Sequence, residues 1–262
     1  GSCPLMDGRD DNVLSHRSWL RKQAVFQAHR RRGLHFVADS HWLADQARQS
    51  GLLEGLPISV IHYGLDTNVY RPLDRSTVRD QLQIPAHRPV VCFAAANVTD
   101  SRKGMRQLVE ALQQSRQDPF LLTWGQNYPE GLSSIDHLHL GAIGNEHLMA
   151  LAYNAGDVFV MPSLQEAFGQ TALESIACGV PVVAFEAGGI PDTVRHEETG
   201  LLVPVGDSRA LAGSIDRLLG DRDLAGRLGA GGREHAVRNF SMQVNAQAYI
   251  ELYRSLSAGS GS

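Results

Sequence analysis

The amino-acid sequence predicts an α/β fold in which a parallel sheet is covered by helices on both faces. Strand-forming and helix-forming segments alternate along most of the chain. Several strand segments, such as residues 90–95 and 182–185, are apolar throughout, which is typical of strands buried on both faces. Glycines or a carboxylate follow the strands at 125, 166 and 188–189. Because ligands of parallel sheets bind beyond the carboxyl ends of the strands, the fold class also predicts where a site lies.

The first part of the chain holds two helix–strand pairs. The predicted elements are a helix at residues 18–32, a strand at 34–38, a helix at 40–49 and a strand at 57–62. Ser40 is the expected N-cap of the second helix, because its hydroxyl can accept a hydrogen bond from a free backbone N–H. Residues 66–72 predict a linker, since Pro72 disfavours continued regular structure before it.

Beyond the linker the alternation becomes regular. The predicted strands are residues 89–95, 120–124, 137–140, 158–161, 181–185 and 201–203. The predicted helices are residues 78–82, 104–114, 145–154, 170–178, 207–219 and 241–256, with further helical segments up to 238. Gly229, Gly231 and Gly232 follow no strand, so we interpret them as a helix break rather than a phosphate-binding loop.

The composition argues against a protein built to coat nucleic acid. A formal net charge of -4 over 262 residues contrasts with the strongly basic surface that nucleic acid requires. Cys3, Cys92 and Cys178 are too few and too scattered for a disulfide framework, so we expect a reducing compartment. With no apolar run of membrane-spanning length and no visible signal peptide, the expected location is cytoplasmic.

The basic run His29-Arg30-Arg31-Arg32 departs from this acidic balance. One interpretation is a solvated face at the end of a helix. The other is peripheral contact with anionic lipid headgroups at the inner face of a membrane. The sequence favours the first and leaves both open.

The segment from Met161 to Gly179 carries the strongest chemical signal. It joins a strand to a helix, with Glu166 in the loop and Glu174 eight positions later. The first N–H groups of a helix lack internal partners and can hold an anion, and Gly169 lets a ligand approach the backbone. Taken singly, each carboxylate favours a simpler interpretation as a cap or a solvated residue. Together, two acceptors flanking an anion site suit a ligand with a sugar, a diphosphate and a ribose.

A second candidate group follows an earlier strand. Lys103 and Gly104 open the helix after residues 89–95, where a lysine can neutralise a departing diphosphate. A solvated lysine is an equal alternative from this segment alone. His137 and His139 alternate on a strand and point to one face, but no third ligand follows at metal-binding spacing. We therefore expect no metal ion.

These residues resemble the retaining glycosyltransferases of family 4, whose GT-B fold has two Rossmann-like domains. The resemblance covers about residues 34–256 and is strongest over residues 153–192, which include Glu166 and Glu174. The run Arg102-Lys103-Gly104 agrees with the family in order and spacing. The resemblance implies that the predicted parallel sheet is the Rossmann-like donor domain.

The resemblance also implies a nucleotide-diphospho-sugar as donor substrate and no other cofactor. Glu166 would hold hydroxyls of the transferred sugar, Glu174 the ribose hydroxyls, and Lys103 the diphosphate as it leaves. Gly125 would leave room for the nucleotide, and the backbone near Ile143 would meet the base. The implied catalytic residues are Glu166 and Lys103, and the implied donor-binding residues are Asn97, Lys103, Gly125, Ile143, Glu166, Ala167, Phe168, Gly169, Gln170, Thr171 and Glu174.

Two features depart from the family pattern. Many members carry an arginine six positions before the lysine as a second diphosphate contact, and that position is Asn97 here. Only two strands and two helices precede the linker, where the family has a whole acceptor domain. The expected organisation is a truncated amino-terminal acceptor domain at 1–66, a donor domain at 67–240, a helix packing back at 241–258 and a linker or tag at 259–262.

The expected function is retaining transfer of a hexose to a polysaccharide, lipid-linked or small-molecule acceptor. The chain alone is expected to bind nucleotide with little turnover, because most of the acceptor domain is missing. One alternative is a non-catalytic nucleotide-sugar-binding module, which the Asn97 departure favours mildly. Another is a nucleotide-sugar epimerase of the same fold, which needs a further His and carboxylate set. Apolar residues of 34–61 and of the last helix are expected to be exposed, which would permit self-association.

Overall fold

The computed structural model describes residues 11–29 and 33–259, and the side chains of residues 16–29 and 33–258. Cys3, most of the basic run at 29–32 and the last three residues lie outside this part of the chain, and so do the expectations that concern them. The chain divides into two compact units, Gly1–Ile61 and His62–Ser262.

The first unit contains two helices and two short strands. They are α1 (Asp11–His29), β1 (Phe36–Ala38), α2 (His41–Gln49) and β2 (Ile58–Val60). β1 and β2 pair in parallel, and the Leu43 N–H donates to the Ser40 hydroxyl at 3.1 Å, so the predicted strands and N-cap are confirmed. α1 begins at Asp11 rather than at Ser18. No apolar stripe marks its first turns, so hydrophobic periodicity could not locate its start.

The second unit alternates strands and helices, as predicted. Its elements are α3 (Arg75–Leu82), β3 (Val90–Asn97), α4 (Met105–Gln114), β4 (Phe120–Gln126), β5 (His137–His139), α5 (Glu146–Asn154), β6 (Val158–Met161), α6 (Gln170–Ala177), β7 (Val182–Phe185), α7 (Ile190–Thr193), β8 (Gly200–Val203), α8 (Ser208–Gly220), α9 (Arg222–Phe240) and α10 (Met242–Gly259). The short helix α7 is absent from the predicted elements, because four residues are too few to show helical periodicity.

The six strands of the second unit form one parallel sheet in the order β5-β4-β3-β6-β7-β8. β3 pairs with β4 on one side and with β6 on the other. The chain therefore runs outward from β3 through β4 and β5, then returns to continue on the opposite side through β6, β7 and β8. This reversal leaves a crevice between the loops that follow β3 and β6, which is where such sheets bind ligands.

The centre of the sheet is buried on both faces. All four residues of β6 and all four of β7 are buried. Successive side chains of a strand point to opposite faces, so helices must cover both sides of the sheet. The predicted α/β class, a parallel sheet covered on both faces, is confirmed.

The two cysteines that the structure describes are core residues. Cys92 and Cys178 are buried free thiols. Burial raises the pKa of the Cys178 thiol to about 12, which keeps it protonated and unreactive. Among the helices of residues 11–29 and 33–259, none is long and apolar enough to cross a membrane.

Helix α9 runs without interruption through Gly229, Gly231 and Gly232, so the predicted helix break is wrong. These glycines allow close packing instead. A Cβ on Gly229 would lie 2.2 Å from the Gly179 carbonyl oxygen, and one on Gly232 would lie 2.9 Å from the Ile176 Cβ. The missing side chains therefore let α9 lie against α6 and the turn that follows it.

The substitution Gly229→Ala is expected to lower the free energy of unfolding by about 2 kcal/mol, because its methyl group meets a backbone carbonyl. Gly226→Ala is the matched control in the same helix, since nothing lies within 4 Å of the added Cβ. It should raise stability by up to about 1 kcal/mol through helix propensity. Urea denaturation measures both, and equal effects would contradict the packing role.

Candidate functional site

A cavity of about 520 Å³ lies where β3, β4 and β6 end, at the reversal of strand order. Its size is within the range of small-molecule sites. Seven of the predicted site residues line it, namely Lys103, Gly125, Ile143, Glu166, Gln170, Thr171 and Glu174. Of the remaining four, Asn97 is the last residue of β3, and Ala167, Phe168 and Gly169 lie in the loop that follows β6.

The loops after β3 and β6 touch each other through their backbones. Gly104 has a φ of +78°, and a Cβ there would lie 1.8 Å from the Pro162 carbonyl oxygen. The Leu164 N–H donates to the Arg102 carbonyl oxygen at 2.8 Å. A side chain at position 104 would separate the two loops, so glycine is required for Lys103 to reach the cavity.

The loop after β7 holds Glu166 from the other side. The Gly189 N–H donates to the Glu166 carbonyl oxygen at 3.0 Å. Gly188 has a φ of +56°, and a Cβ there would lie 1.9 Å from the same oxygen. Backbone contacts on two sides therefore fix the position of Glu166.

Lys103 and Glu166 form an ion pair within the cavity. Lys103 Nζ lies 2.6 Å from Glu166 Oε2, and the two side chains are 26% and 16% exposed. A hydrogen bond between two partly desolvated charges is stronger than a neutral one. The two predicted catalytic residues are thus brought together, and each is the other's partner.

Glu174 lies deeper, on the first turns of α6, and only 5% of its surface is exposed. The Tyr153 hydroxyl donates to Oε2 at 2.7 Å, and Gln170 Nε2 lies 3.3 Å from Oε1. Burial raises the pKa of Glu174 to about 7, against the lowering effect of these two hydrogen bonds. Around neutral pH the carboxyl group therefore exchanges readily between its charged and neutral forms.

Several cavity residues are not among the predicted site residues, and they include Trp124, Met149, Tyr153 and Ser163. Tyr153 matters most, because it donates to Glu174, and its ring packs edge-on against Trp124 at a centroid distance of 4.8 Å. It lies within the segment that carries the family resemblance. Its contact with Glu174 joins α5 to α6, and only the tertiary structure shows that pairing.

Close contact with strand β3 requires a glycine at position 125. Gly125 has a φ of +141°, and a Cβ there would lie 1.9 Å from the Ala95 carbonyl oxygen. The expectation from the family is that Gly125 leaves room for a nucleotide. Gly125 lies on the cavity wall, and contact between β3 and β4 already excludes a side chain there.

The Asn97 side chain shapes its own loop. Its Oδ1 accepts hydrogen bonds from the Thr99 N–H at 2.9 Å, the Thr99 hydroxyl at 2.8 Å and Asn127 Nδ2 at 2.9 Å. A neutral amide engaged in this way ties the loops after β3 and β4 together. It does not supply the positive charge that an arginine brings to this position.

Phe168 is not among the residues that line the cavity, and its ring anchors the loop after β6. The ring is 2% exposed and packs against His62, Tyr63 and Phe240 at centroid distances of 5.5 to 5.9 Å. Gly169 follows with a φ of +94° and begins α6 without a capping side chain. The first two residues of α6, Gln170 and Thr171, line the cavity.

The raised pKa of Glu174 predicts a pH-dependent stability. The folded protein holds this proton more tightly than the unfolded chain, whose carboxyl has the ordinary pKa of 4.5. The contribution of this proton to the free energy of unfolding is therefore fully present below pH 4.5. It is lost as the pH rises to 7 and above, which lowers stability by about 3 kcal/mol. Glu174→Gln has no proton to lose, so its free energy of unfolding relative to the unmodified protein should rise between pH 5 and pH 8.

Urea denaturation of both proteins at the two pH values measures this difference. Comparison of the two proteins at each pH cancels the titration of all other groups. A difference that stays constant between the two pH values would contradict a raised pKa for Glu174.

Comparison with known proteins places this architecture in a family. The sequence profile of the family described as "Glycosyl transferases group 1" matches residues 88–221. The alpha-maltose-1-phosphate synthase of Mycolicibacterium smegmatis is 31% identical, over 92% of this chain and 67% of its own length. The D-inositol 3-phosphate glycosyltransferase of Thermobispora bispora is 32% identical, over 75% of this chain and 50% of its own length. The chain also spans about half the length of six further D-inositol 3-phosphate glycosyltransferases.

Solved structures share the fold. The sucrose-phosphate synthase of Thermosynechococcus elongatus superposes with a TM-score of 0.79 at 30% identity, over 93% of this chain and 62% of the other. Anabaena Alr3699/HepE, solved in complex with UDP-glucose, superposes with a TM-score of 0.75 at 23% identity, over 92% of this chain and 69% of the other. The profile match covers just over half of the 262 residues. The chain therefore belongs to the glycosyl transferases group 1 family and has the fold of the carboxyl-terminal domain of GT-B glycosyltransferases.

Proposed function

We propose that this chain provides the donor-binding part of a retaining hexosyltransferase. The donor is a nucleotide-diphospho-sugar, and the acceptor is a polysaccharide, a lipid-linked glycan or a small molecule. The observation that carries the proposal is the cavity at the reversal of strand order, which Lys103, Glu166 and Glu174 all line. Residues 67–240 form the donor domain in this proposal, and residues 1–66 are a remnant of the acceptor domain.

The diphosphate binds between Lys103 and the amino-terminal end of α6. Lys103 Nζ supplies a full positive charge in a partly desolvated place, with 26% of its side chain exposed. The first N–H groups of α6 add hydrogen-bond donors and the positive end of the helix dipole. No divalent metal is required in this proposal, because these groups face the charge that develops on the leaving diphosphate.

Glu174 receives the ribose hydroxyls. Its carboxyl group lies at depth in the cavity, beside Gln170 and Tyr153. Hydroxyl groups that donate to a carboxylate favour its charged form, so a bound ribose lowers the pKa that burial has raised. Nucleotide binding is therefore coupled to release of a proton near neutral pH.

Glu166 receives hydroxyls of the sugar, and the cavity wall near Gly125 and Ile143 receives the base. The complex of Anabaena Alr3699/HepE with UDP-glucose supports a donor of this class for a protein of this fold. Because the chain spans only part of its relatives, turnover by the chain alone is proposed to be slow. Asn97 stands where many family members have an arginine, so one cationic contact is missing. In this proposal Lys103 and the amino-terminal end of α6 hold the diphosphate without it.

Calorimetric titration with UDP, GDP and ADP tests the donor site. We expect one diphosphate to bind selectively, and Lys103→Ala and Glu174→Ala each to weaken it on the order of tenfold or more, the loss of one charge-assisted contact. Lys22→Ala is the matched control, because Lys22 is the other lysine of the sequence and is exposed in α1. Its affinity should match that of the unmodified protein.

Trp124 provides a second readout, since it lines the cavity and its fluorescence should respond to a bound base. Failure of all three diphosphates to bind a protein whose thermal melt is cooperative would refute the proposed donor site. Equal weakening by the control variant would assign the effect to net charge instead of to the cavity.

A further inference from the structure

The ion pair between Lys103 and Glu166 has a consequence for ligand choice. Lys103 Nζ and Glu166 Oε2 lie 2.6 Å apart. In the proposed function the two residues have different partners, since Lys103 serves the diphosphate and Glu166 serves the sugar. A ligand must therefore replace this pair, at least in part, in order to bind.

Loop movement cannot separate the two residues easily. Gly104 touches Pro162, the Leu164 N–H donates to the Arg102 carbonyl oxygen, and the Glu166 carbonyl oxygen accepts from Gly189. These backbone contacts hold both Cα positions. The pair opens by rotation of the two side chains, and Glu166 stays beside the diphosphate position when it does.

The residues next to Lys103 do not supply a second cation for a bound diphosphate. Arg102, the adjacent cation, pairs with Asp100 at 2.6 Å and is 61% exposed. Position 97 holds a neutral asparagine whose oxygen is occupied by Thr99 and Asn127. Lys103 is thus the cation that lines the cavity among the described residues, and Glu166 is its present partner.

We propose that Glu166 discriminates between the sugar-bearing donor and the bare nucleoside diphosphate. This inference rests on the proposed function of the same cavity. A hexose on the diphosphate brings hydroxyl donors to Glu166, which replace the contact that it loses with Lys103. A bare nucleoside diphosphate brings no sugar hydroxyl to Glu166. Its negative charge competes with Glu166 for Lys103 and is repelled by the carboxylate that it displaces.

The ion pair between Lys103 and Glu166 also favours release of the nucleoside diphosphate after transfer. Once the sugar has left, Glu166 has no hydroxyl partner and returns to Lys103. The nucleoside diphosphate then loses its cationic contact. Glu166 thus acts as a specificity-determining residue through its charge, in addition to its contact with the sugar.

Titration of Glu166→Gln with three matched pairs tests the inference: UDP and UDP-glucose, GDP and GDP-mannose, ADP and ADP-glucose. The amide keeps the shape of the side chain and removes its charge. We expect the bare diphosphate to bind on the order of tenfold more tightly than to the unmodified protein. The sugar nucleotide should gain nothing, so the preference for it over the diphosphate falls.

Two variants serve as controls. Glu197→Gln also removes one charge from an ion pair, with Arg217 Nη1 at 2.6 Å, but it precedes β8 at the amino end of the sheet. It should change either affinity less than twofold. Glu166→Asp keeps the charge, and its affinity for the bare diphosphate should stay closer to that of the unmodified protein than to that of Glu166→Gln.

A Glu166→Gln variant that binds the bare diphosphate no more tightly than the unmodified protein overturns the inference and leaves the donor site intact. An equal gain in Glu197→Gln also overturns it, because the effect is then one of net charge. If neither the unmodified protein nor Glu166→Gln binds any diphosphate or sugar nucleotide, the proposed function fails as well. The two failures are thus distinguishable.

Discussion

Backbone contact between three loops sets the positions of Lys103 and Glu166 in the candidate site. The loops follow β3, β6 and β7, and they meet because Gly104 and Gly188 carry no side chain. At each of these glycines a Cβ would lie less than 2 Å from a carbonyl oxygen of the neighbouring loop. Parallel strands bring the loop ends to one edge of the sheet, and the glycines close the remaining gap. Lys103 and Glu166 face each other as a result.

Much of this arrangement could be predicted from the sequence, because its signals are local. Apolar runs identified β3, β6 and β7, and the order of strands and helices predicted the parallel sheet. The spacing of Glu166 and Glu174 across a strand-to-helix junction predicted two acceptors at one site. What the sequence could not show depends on contacts between distant segments. The pairing of Tyr153 with Glu174, the close packing of α9 and the engagement of Asn97 by Thr99 and Asn127 are of this kind.

Glu174 illustrates a conflict between the requirements of folding and those of binding. A carboxyl group that is 5% exposed and has a pKa of about 7 disfavours the folded state at neutral pH. An apolar residue at this position would pack without that cost, but it could not accept hydrogen bonds from a polyol. Tyr153 and Gln170 offset part of the cost by donating to the carboxylate. The structure therefore retains a destabilising residue where the proposed ligand needs an acceptor.

The packing of α6 against α9 also bears on the synthesis of the protein. Arg233 of α9 donates hydrogen bonds to the Ala177 carbonyl oxygen at the end of α6 and to the carbonyl oxygens of Thr67 and Tyr70, far earlier in the chain. Gly229 and Gly232 fit against the same region. α6 carries Glu174 and follows the loop after β6, yet Gly229, Gly232 and Arg233 leave the ribosome only after the whole sheet has been made. On a growing chain, the end of α6 therefore gains these contacts only after the residues of the candidate cavity have been translated.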